Sequence, residues 1–105
     1  EQVVSLYDRL MAIAPSPVVA LNRAIAIAER DGAERGIAEL QAIEGRDRLE
    51  GYPFYPAAIG ELELRRGDRE RARTFFTAAL AAARNSTERR FLEKRVRACG
   101  PEDRR

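Results

Sequence analysis

Two pairs of acidic residues are the first candidates for chemistry in this sequence, because paired carboxylates can share general acid and general base roles. These pairs are Glu29 with Asp31 and Glu61 with Glu63. Residues two positions apart on a helix point to different faces, so neither pair converges on one substrate atom. We therefore expect these carboxylates to be solvated surface charges.

Cys99 is the only thiol in the chain and follows two arginines, Arg95 and Arg97. Nearby positive charge can lower the pKa of a thiol and activate it as a nucleophile. The chain has no histidine to serve as its base. We expect an inert thiol, and a single cysteine excludes an internal disulfide.

Several classes of site are excluded by composition. Without histidine, the chain cannot form a histidine-based triad or a histidine-ligated zinc site. No glycine-rich phosphate loop follows a strand, and no apolar run approaches the roughly 20 residues of a membrane span. We therefore expect no enzyme, no metal, no cofactor and no membrane insertion. Residue 1 is Glu and no signal-peptide pattern follows it, so we expect a piece of a longer protein.

Length and charge suggest one helical domain with two electrically different halves. The 105 residues are 45% hydrophobic and 34% charged, which is enough to bury a core. Residues 1–64 carry six arginines and eleven carboxylates, whereas residues 65–105 carry thirteen basic and six acidic side chains. The basic half could contact nucleic acid or an acidic partner, or could be a solvated end of the domain.

The spacing of apolar residues by three and four predicts helices throughout and no strand. Proline, glycine and capping residues separate the helices, with Ser16, Asp68 and Asn85 as predicted N-caps. Asn85 and Glu88 have the spacing of a capping box. The predicted helices are 2–14, 17–30, 33–43, 55–66, 69–84 and 86 to about 99, and the loop between the third and fourth contains one helical turn near 47–49.

An internal repeat of 36 residues aligns small residues with small ones and large apolar residues with large ones. The small positions would let two antiparallel helices approach closely, and the large positions would fill the space between repeats. The predicted repeat-packing residues are Ala24, Gly36, Leu40, Gly60, Ala72, Phe76 and Ala79.

The second copy has the small, small, aromatic, small spacing of the tetratricopeptide repeat (TPR). We predict an all-α, TPR-like solenoid of antiparallel helix pairs, with about six helices and a C-terminal capping helix. Pro56, Glu63 and Arg84 depart from the TPR pattern, and an unrelated helical bundle that happens to repeat is the alternative. The predicted organisation is a half repeat 1–15, a repeat 16–44, a loop 45–53, a repeat 54–85, a capping helix 86–99 and a frayed tail 100–105.

TPR-like helices bind partners in a groove lined by the first helix of each repeat. An asparagine there can bond a peptide backbone, and an arginine can hold a carboxylate. Alternatively, the asparagine bonds a neighbouring loop and the apolar residues are core. The first helix, 2–14, lacks a preceding partner, so we expect its apolar face to be covered by an absent N-terminal segment or by another copy of this chain. The predicted partner-binding residues are Val18, Leu21, Asn22, Ile25, Glu61 and Arg65.

Three stretches of the chain resemble one protein family. They are Leu6-Tyr7-Asp8-x-Leu10, the run from Ala14 through Pro15-Ser16-Pro17-Val18-Val19-Ala20-Leu21-Asn22-Arg23 to Ala26, and Glu88-Arg89-Arg90-Phe91-Leu92. They are similar to the C-terminal extension of a subgroup of bacterial extracytoplasmic-function (ECF) sigma factors, in which a TPR-like domain follows two core sigma regions. The resemblance covers almost the whole chain, and residues 59–68 depart most from the family pattern.

The resemblance implies a cytoplasmic, regulatory interaction domain that acts in transcription initiation with RNA polymerase. The implied partners are its own sigma core regions, the polymerase or a separate regulator. Nothing in these residues resembles a helix-turn-helix, so we expect no specific DNA binding by this chain alone. Two alternatives stay open, namely a stand-alone TPR adaptor that binds a peptide or protein, and a nucleic-acid-contacting module that uses the basic half.

Overall fold

A computed structural model describes residues 2–100 and is all-helical over that range. It confirms the all-α class and shows no strand among these residues, whereas the TPR-like solenoid stays a prediction. The chain divides into a first unit, Glu1–Glu50, and a second unit, Gly51–Arg105. The helices are α1 (Gln2–Ile13), α2 (Pro17–Asp31), α3 (Ala33–Gln41), α4 (Phe54–Arg66), α5 (Arg69–Ala81) and α6 (Ser86–Ala98), and a 3₁₀ turn occupies Arg46–Leu49. Of the predicted tail, 101–105 lies outside the described residues.

Two predicted N-caps begin α2 and α5 as expected. The Ser16 hydroxyl accepts a hydrogen bond from the Val18 amide at 3.2 Å, and Pro17 occupies the first helical position. The Asp68 carboxylate accepts from the Arg71 amide at 3.0 Å. Both caps satisfy amides that have no partner inside the helix.

Only one half of the predicted capping box forms at α6. The Asn85 side-chain oxygen accepts from the Glu88 amide at 2.8 Å, as predicted. The Glu88 carboxylate instead accepts from the Arg84 amide at 2.9 Å and from the Arg84 guanidinium. Arg84 therefore competes for the carboxylate that would otherwise close the box.

Helices α3 and α5 end two or three residues before their predicted ends. The amide of Ala42 reaches back to several carbonyls of the last turn, and the amide of Ala82 bonds the carbonyls of Ala79 and Leu80. Such tight closing turns satisfy carbonyls at the helix end and stop the helix.

The first unit is a series of packed helices in which α1 contacts α2 and α2 contacts α3. Gly32 alone joins α2 to α3, and its φ of 105° is a conformation that favours glycine. So short a connection makes the two helices antiparallel neighbours. The buried core residues include Val4, Leu21, Ala24, Ile27, Ile37 and Leu40.

In the second unit, α5 packs against both α4 and α6. Phe76 is fully buried in a cluster with Ala72, Ala79 and Leu92. A Cβ placed on Gly60 would lie only 3.0 Å from the Phe76 ring, so glycine allows this close approach of α4 and α5. All seven predicted repeat-packing residues are buried.

Candidate interaction surfaces

Helix α1 presents a row of aliphatic side chains that the first unit leaves exposed. We call this row, formed by Val3, Leu6, Leu10 and Ile13, the α1 stripe. Leu6 is 50% exposed and Ile13 is 81% exposed. The spacing of three and four residues places all of them on one side of the helix, while Val4 on another side is buried. The stripe is therefore a continuous apolar surface rather than scattered exposed residues.

Three of the predicted partner-binding residues form a second exposed row, on α2. Val18 and Ile25 are both more than a third exposed, and Asn22 lies exposed between them. The Asn22 amide nitrogen donates to the Val18 carbonyl of its own helix at 3.2 Å. Leu21 is different, because it is only 2% exposed and belongs to the core. We call Val18, Asn22 and Ile25 the α2 row.

Arg23, which was not among the predicted site residues, lines a cleft in the first unit. Arg23 donates to Asp8 of α1 at 2.6 Å and to Glu39 of α3 at 3.2 Å. The hydrogen bond that Arg23 donates to Asp8 raises the pKa of Arg23. The cleft has a volume of about 590 Å³ and includes Met11 and Ile43 in its lining. Because both carboxylates already bind Arg23, this network joins three helices and offers few unsatisfied groups to a ligand.

In the second unit, the predicted partner residue Glu61 forms a two-point ion pair with Arg95. The guanidinium nitrogens of Arg95 lie 2.7 and 2.8 Å from the two carboxylate oxygens of Glu61. The same guanidinium stacks 5.5 Å from the centre of the Phe76 ring. Glu61 thus ties α4 to α6, while the other predicted residue of this unit, Arg65, is exposed in the last turn of α4.

Glu63 corrects the expectation that both carboxylates of its pair are solvated. Its side chain is fully buried, and one oxygen accepts from Arg71 at 2.9 Å. The other oxygen lies 3.6 Å from Arg66 and makes no hydrogen bond. The bond with Glu63 raises the pKa of Arg71. Glu63 was expected to be a surface charge because residues two positions apart on a helix face different sides. The turn between α4 and α5 instead brings the Arg71 guanidinium against its carboxylate.

The other acidic pair is exposed, as expected. Glu29 and Asp31 both lie at the end of α2. Arg30 donates two hydrogen bonds of 3.0 Å to the Asp31 carboxylate, and these lower the pKa of Asp31.

Cys99 is buried, and its surroundings disfavour the thiolate form. The thiol is 1% exposed and donates to the Arg95 carbonyl at 3.4 Å. Burial raises the pKa of the Cys99 thiol and outweighs the opposing influence of Arg73 and Arg95. The expectation of an inert thiol is consistent with this geometry.

Two further absences hold for the part of the chain that the structure describes. No group of three or more metal-binding side chains comes together among residues 2–100. Over the same residues, every helix is too short or too polar to cross a membrane.

Comparison with known proteins finds one similar sequence with no assigned activity. An uncharacterized protein of Rhizobium meliloti (strain 1021) is 36% identical over 96 residues, which is 91% of this chain and 22% of the relative. The chain therefore spans about a fifth of the length of that relative. No protein-family model matches the chain, and no solved structure matches it.

Proposed function

We propose that this chain is a protein–protein interaction module that serves as the regulatory domain of an ECF-type sigma factor in transcription initiation. The α1 stripe is the observation that carries the interaction part of the proposal. The sigma-factor context is drawn from the resemblance of the Ala14 to Ala26 and Glu88 to Leu92 segments to the C-terminal extension of that family. The module would act in the cytoplasm and would catalyse no reaction of its own.

The α1 stripe can contribute part of the free energy of docking. Full burial of one large aliphatic side chain stabilises by about 1.5–3 kcal/mol relative to exposure. The four side chains of the stripe are roughly half exposed on average, so covering them would contribute about 3–6 kcal/mol before the costs of association. That gain is a useful fraction of a micromolar interaction, which corresponds to about 8 kcal/mol.

The proposed occupants of the stripe are the sigma core regions of the same protein, the polymerase or a regulator. The α2 row offers a second contact on the same unit, with an amide between two aliphatic side chains. Neither surface resembles a promoter-reading element, so we propose that the module does not bind promoter DNA specifically by itself.

The test replaces two central stripe residues with charges. Leu6→Glu with Leu10→Glu places two carboxylates in the stripe. Ser5→Glu with Ala12→Glu is the matched control, because both of these α1 residues are exposed outside the stripe. The wild-type chain should bind a hydrophobic dye or self-associate in sedimentation, the stripe variant should do neither, and the control should match the wild type. A wild-type chain that is strictly monomeric and binds no dye would overturn the proposal.

The second candidate is a stand-alone TPR-like adaptor for a peptide, which the exposure of the α2 row favours. Under this alternative, Asn22→Ala with Arg65→Ala weakens partner binding while the fold is retained. Unchanged affinity in that variant, with an unchanged circular dichroism spectrum, would remove both residues from the binding site.

A further inference from the structure

The outer side of α6 carries an unusual concentration of exposed positive charge around one exposed aromatic ring. We call Arg90, Phe91, Lys94 and Arg97 the α6 basic face. Its three cations are exposed, and Phe91 is 45% exposed. Within residues 2–100, none of these cations makes an ion pair or hydrogen bond. Arg95 on the same helix, in contrast, pairs with Glu61.

Helical geometry makes this set one surface. Arg90, Lys94 and Arg97 follow one another at intervals of four and three residues, so they form a row about 10 Å long. Phe91 lies beside that row, three residues before Lys94. The opposite side of α6 packs against the core of the second unit, where Leu92 is fully buried.

Like charges at these intervals repel one another and weaken an isolated helix. The face thus combines mutual repulsion of its cations with an exposed aromatic ring. A single kind of ligand could neutralise the cations and cover the ring. Such a ligand supplies carboxylates at helical spacing together with an apolar side chain that covers Phe91.

We infer that the α6 basic face binds an acidic amphipathic helix of a protein partner. Its carboxylates would pair with the row of three cations, and an aliphatic or aromatic side chain between them would pack on Phe91. The α6 basic face shares no residue with the α1 stripe, and the inference holds whether or not the chain belongs to a sigma factor.

Nucleic acid fits the same face less well. Phosphates would satisfy the cations but would leave Phe91 uncovered. Single-stranded nucleic acid can stack on aromatic side chains, but it does so along successive rings, and Phe91 is the only ring on α6.

The experiment measures the binding of four probes to the full 105-residue chain at 50 mM and 300 mM NaCl, by fluorescence anisotropy for the first three and by co-sedimentation for the vesicle. The first probe is a synthetic helical peptide with a row of glutamates and a row of leucines. Within each row, successive residues are three or four positions apart. The second is the same peptide with serine in place of leucine. The third is a 20-nucleotide oligo-dT, and the fourth is a vesicle of phosphatidylcholine with 30% phosphatidylglycerol.

Two α6 variants and one control separate the contributions of charge and ring. Arg90→Gln with Arg97→Gln removes two cations of the face, and Phe91→Ala removes the ring. Arg9→Gln with Arg48→Gln removes two exposed cations from the first unit and keeps the net charge equal to that of the first variant. Circular dichroism at 222 nm checks that each variant remains helical.

We expect the leucine peptide to bind most tightly and to weaken about tenfold or more between the two salt concentrations. The variant Arg90→Gln with Arg97→Gln should lose about tenfold in affinity for the leucine peptide. Phe91→Ala should lose affinity for the leucine peptide but not for the serine peptide. The control variant should bind as the wild type does. Tighter binding of oligo-dT or of the vesicle, an equal loss in the control, or no peptide binding at 50 mM NaCl would each overturn the inference.

Discussion

The contact between Gly60 and Phe76 supports a double substitution that tests how α4 and α5 are held together. The corresponding positions of the first unit, 36 residues earlier, hold Ala24 and Leu40. Gly60→Ala with Phe76→Leu would therefore give the second unit the residue pair of the first. Each pair joins a smaller residue to a larger one, so we expect the two substitutions to compensate.

The single substitutions should each be destabilising or close to neutral. A Cβ on residue 60 would lie 3.0, 3.0 and 3.1 Å from three atoms of the Phe76 ring, which is closer than ordinary packing. Overpacking of this kind costs about 1–3 kcal/mol. Helix propensity returns about 1 kcal/mol when glycine becomes alanine, so the net cost of Gly60→Ala is about 0–2 kcal/mol.

Phe76→Leu removes ring atoms from the fully buried cluster and should cost about 1–3 kcal/mol. In the double variant the new methyl group occupies space that the ring has left. The double variant should therefore be more stable than the sum of the single effects by about 1 kcal/mol or more.

The assay is urea denaturation followed by circular dichroism for the wild type, both single variants and the double variant. A control cycle combines Gly60→Ala with Thr77→Ala in place of Phe76→Leu. Thr77 is the neighbour of Phe76 on α5 and its side chain is exposed. That control cycle should be additive within about 0.5 kcal/mol. A coupling below about 0.5 kcal/mol in the Gly60 and Phe76 cycle would refute the view that this contact sets the separation of the two helices.

Three further perturbations test the ion pairs and the thiol. Arg71→Ala should lower the melting temperature by about 5–15 °C, because it leaves the buried Glu63 carboxylate without its hydrogen-bonded cation. Glu63→Met should leave the melting temperature unchanged or raise it, because it removes the buried charge itself. Equal losses of melting temperature in the two variants, measured by calorimetry, would contradict this. The Cys99 thiol should react with a disulfide reagent only at the rate of local opening, so fast labelling of the folded chain at pH 8 would show that it is not buried. Arg84 lowers the pKa of Glu88, so this carboxylate stabilises the fold above its ordinary pKa near 4.3, and the contribution disappears as pH falls through the lowered pKa. The melting temperature of Glu88→Gln should therefore lie below that of the wild type at pH 7 and approach it near pH 3, and a difference that does not change with pH would count against this ion pair.

The helices and their caps were predictable because the signals are local. Ser16, Asp68 and Asn85 cap as expected, since each bonds an amide two or three residues ahead. Helix ends were less predictable, because the tight closing turns after α3 and α5 use alanines that equally suit a continuing helix.

The burial of Glu63 was missed because it depends on a residue across a turn. Glu63 and Arg71 each lie four positions from Gly67, whose φ of 90° ends α4. A helical hairpin centred on Gly67 brings such symmetric positions together, so the sequence did contain a usable signal. The pairing of Glu61 with Arg95 spans 34 residues and had no comparable local signal.

The surfaces were predictable in part, because amphipathic spacing shows which residues share a face. It does not show which face a neighbouring helix covers. For α2 the spacing grouped Leu21 with Val18 and Ile25, yet Leu21 lies in the core while the other two remain exposed.

The most direct test of the proposed role is to purify the native gene product from its own cells and determine its intact mass and its association with core RNA polymerase. The proposal predicts a polypeptide that carries two sigma regions before this domain and that co-elutes with the polymerase on size exclusion. A native product that begins near Glu1 and elutes apart from the polymerase would contradict the sigma-factor role and favour a stand-alone adaptor.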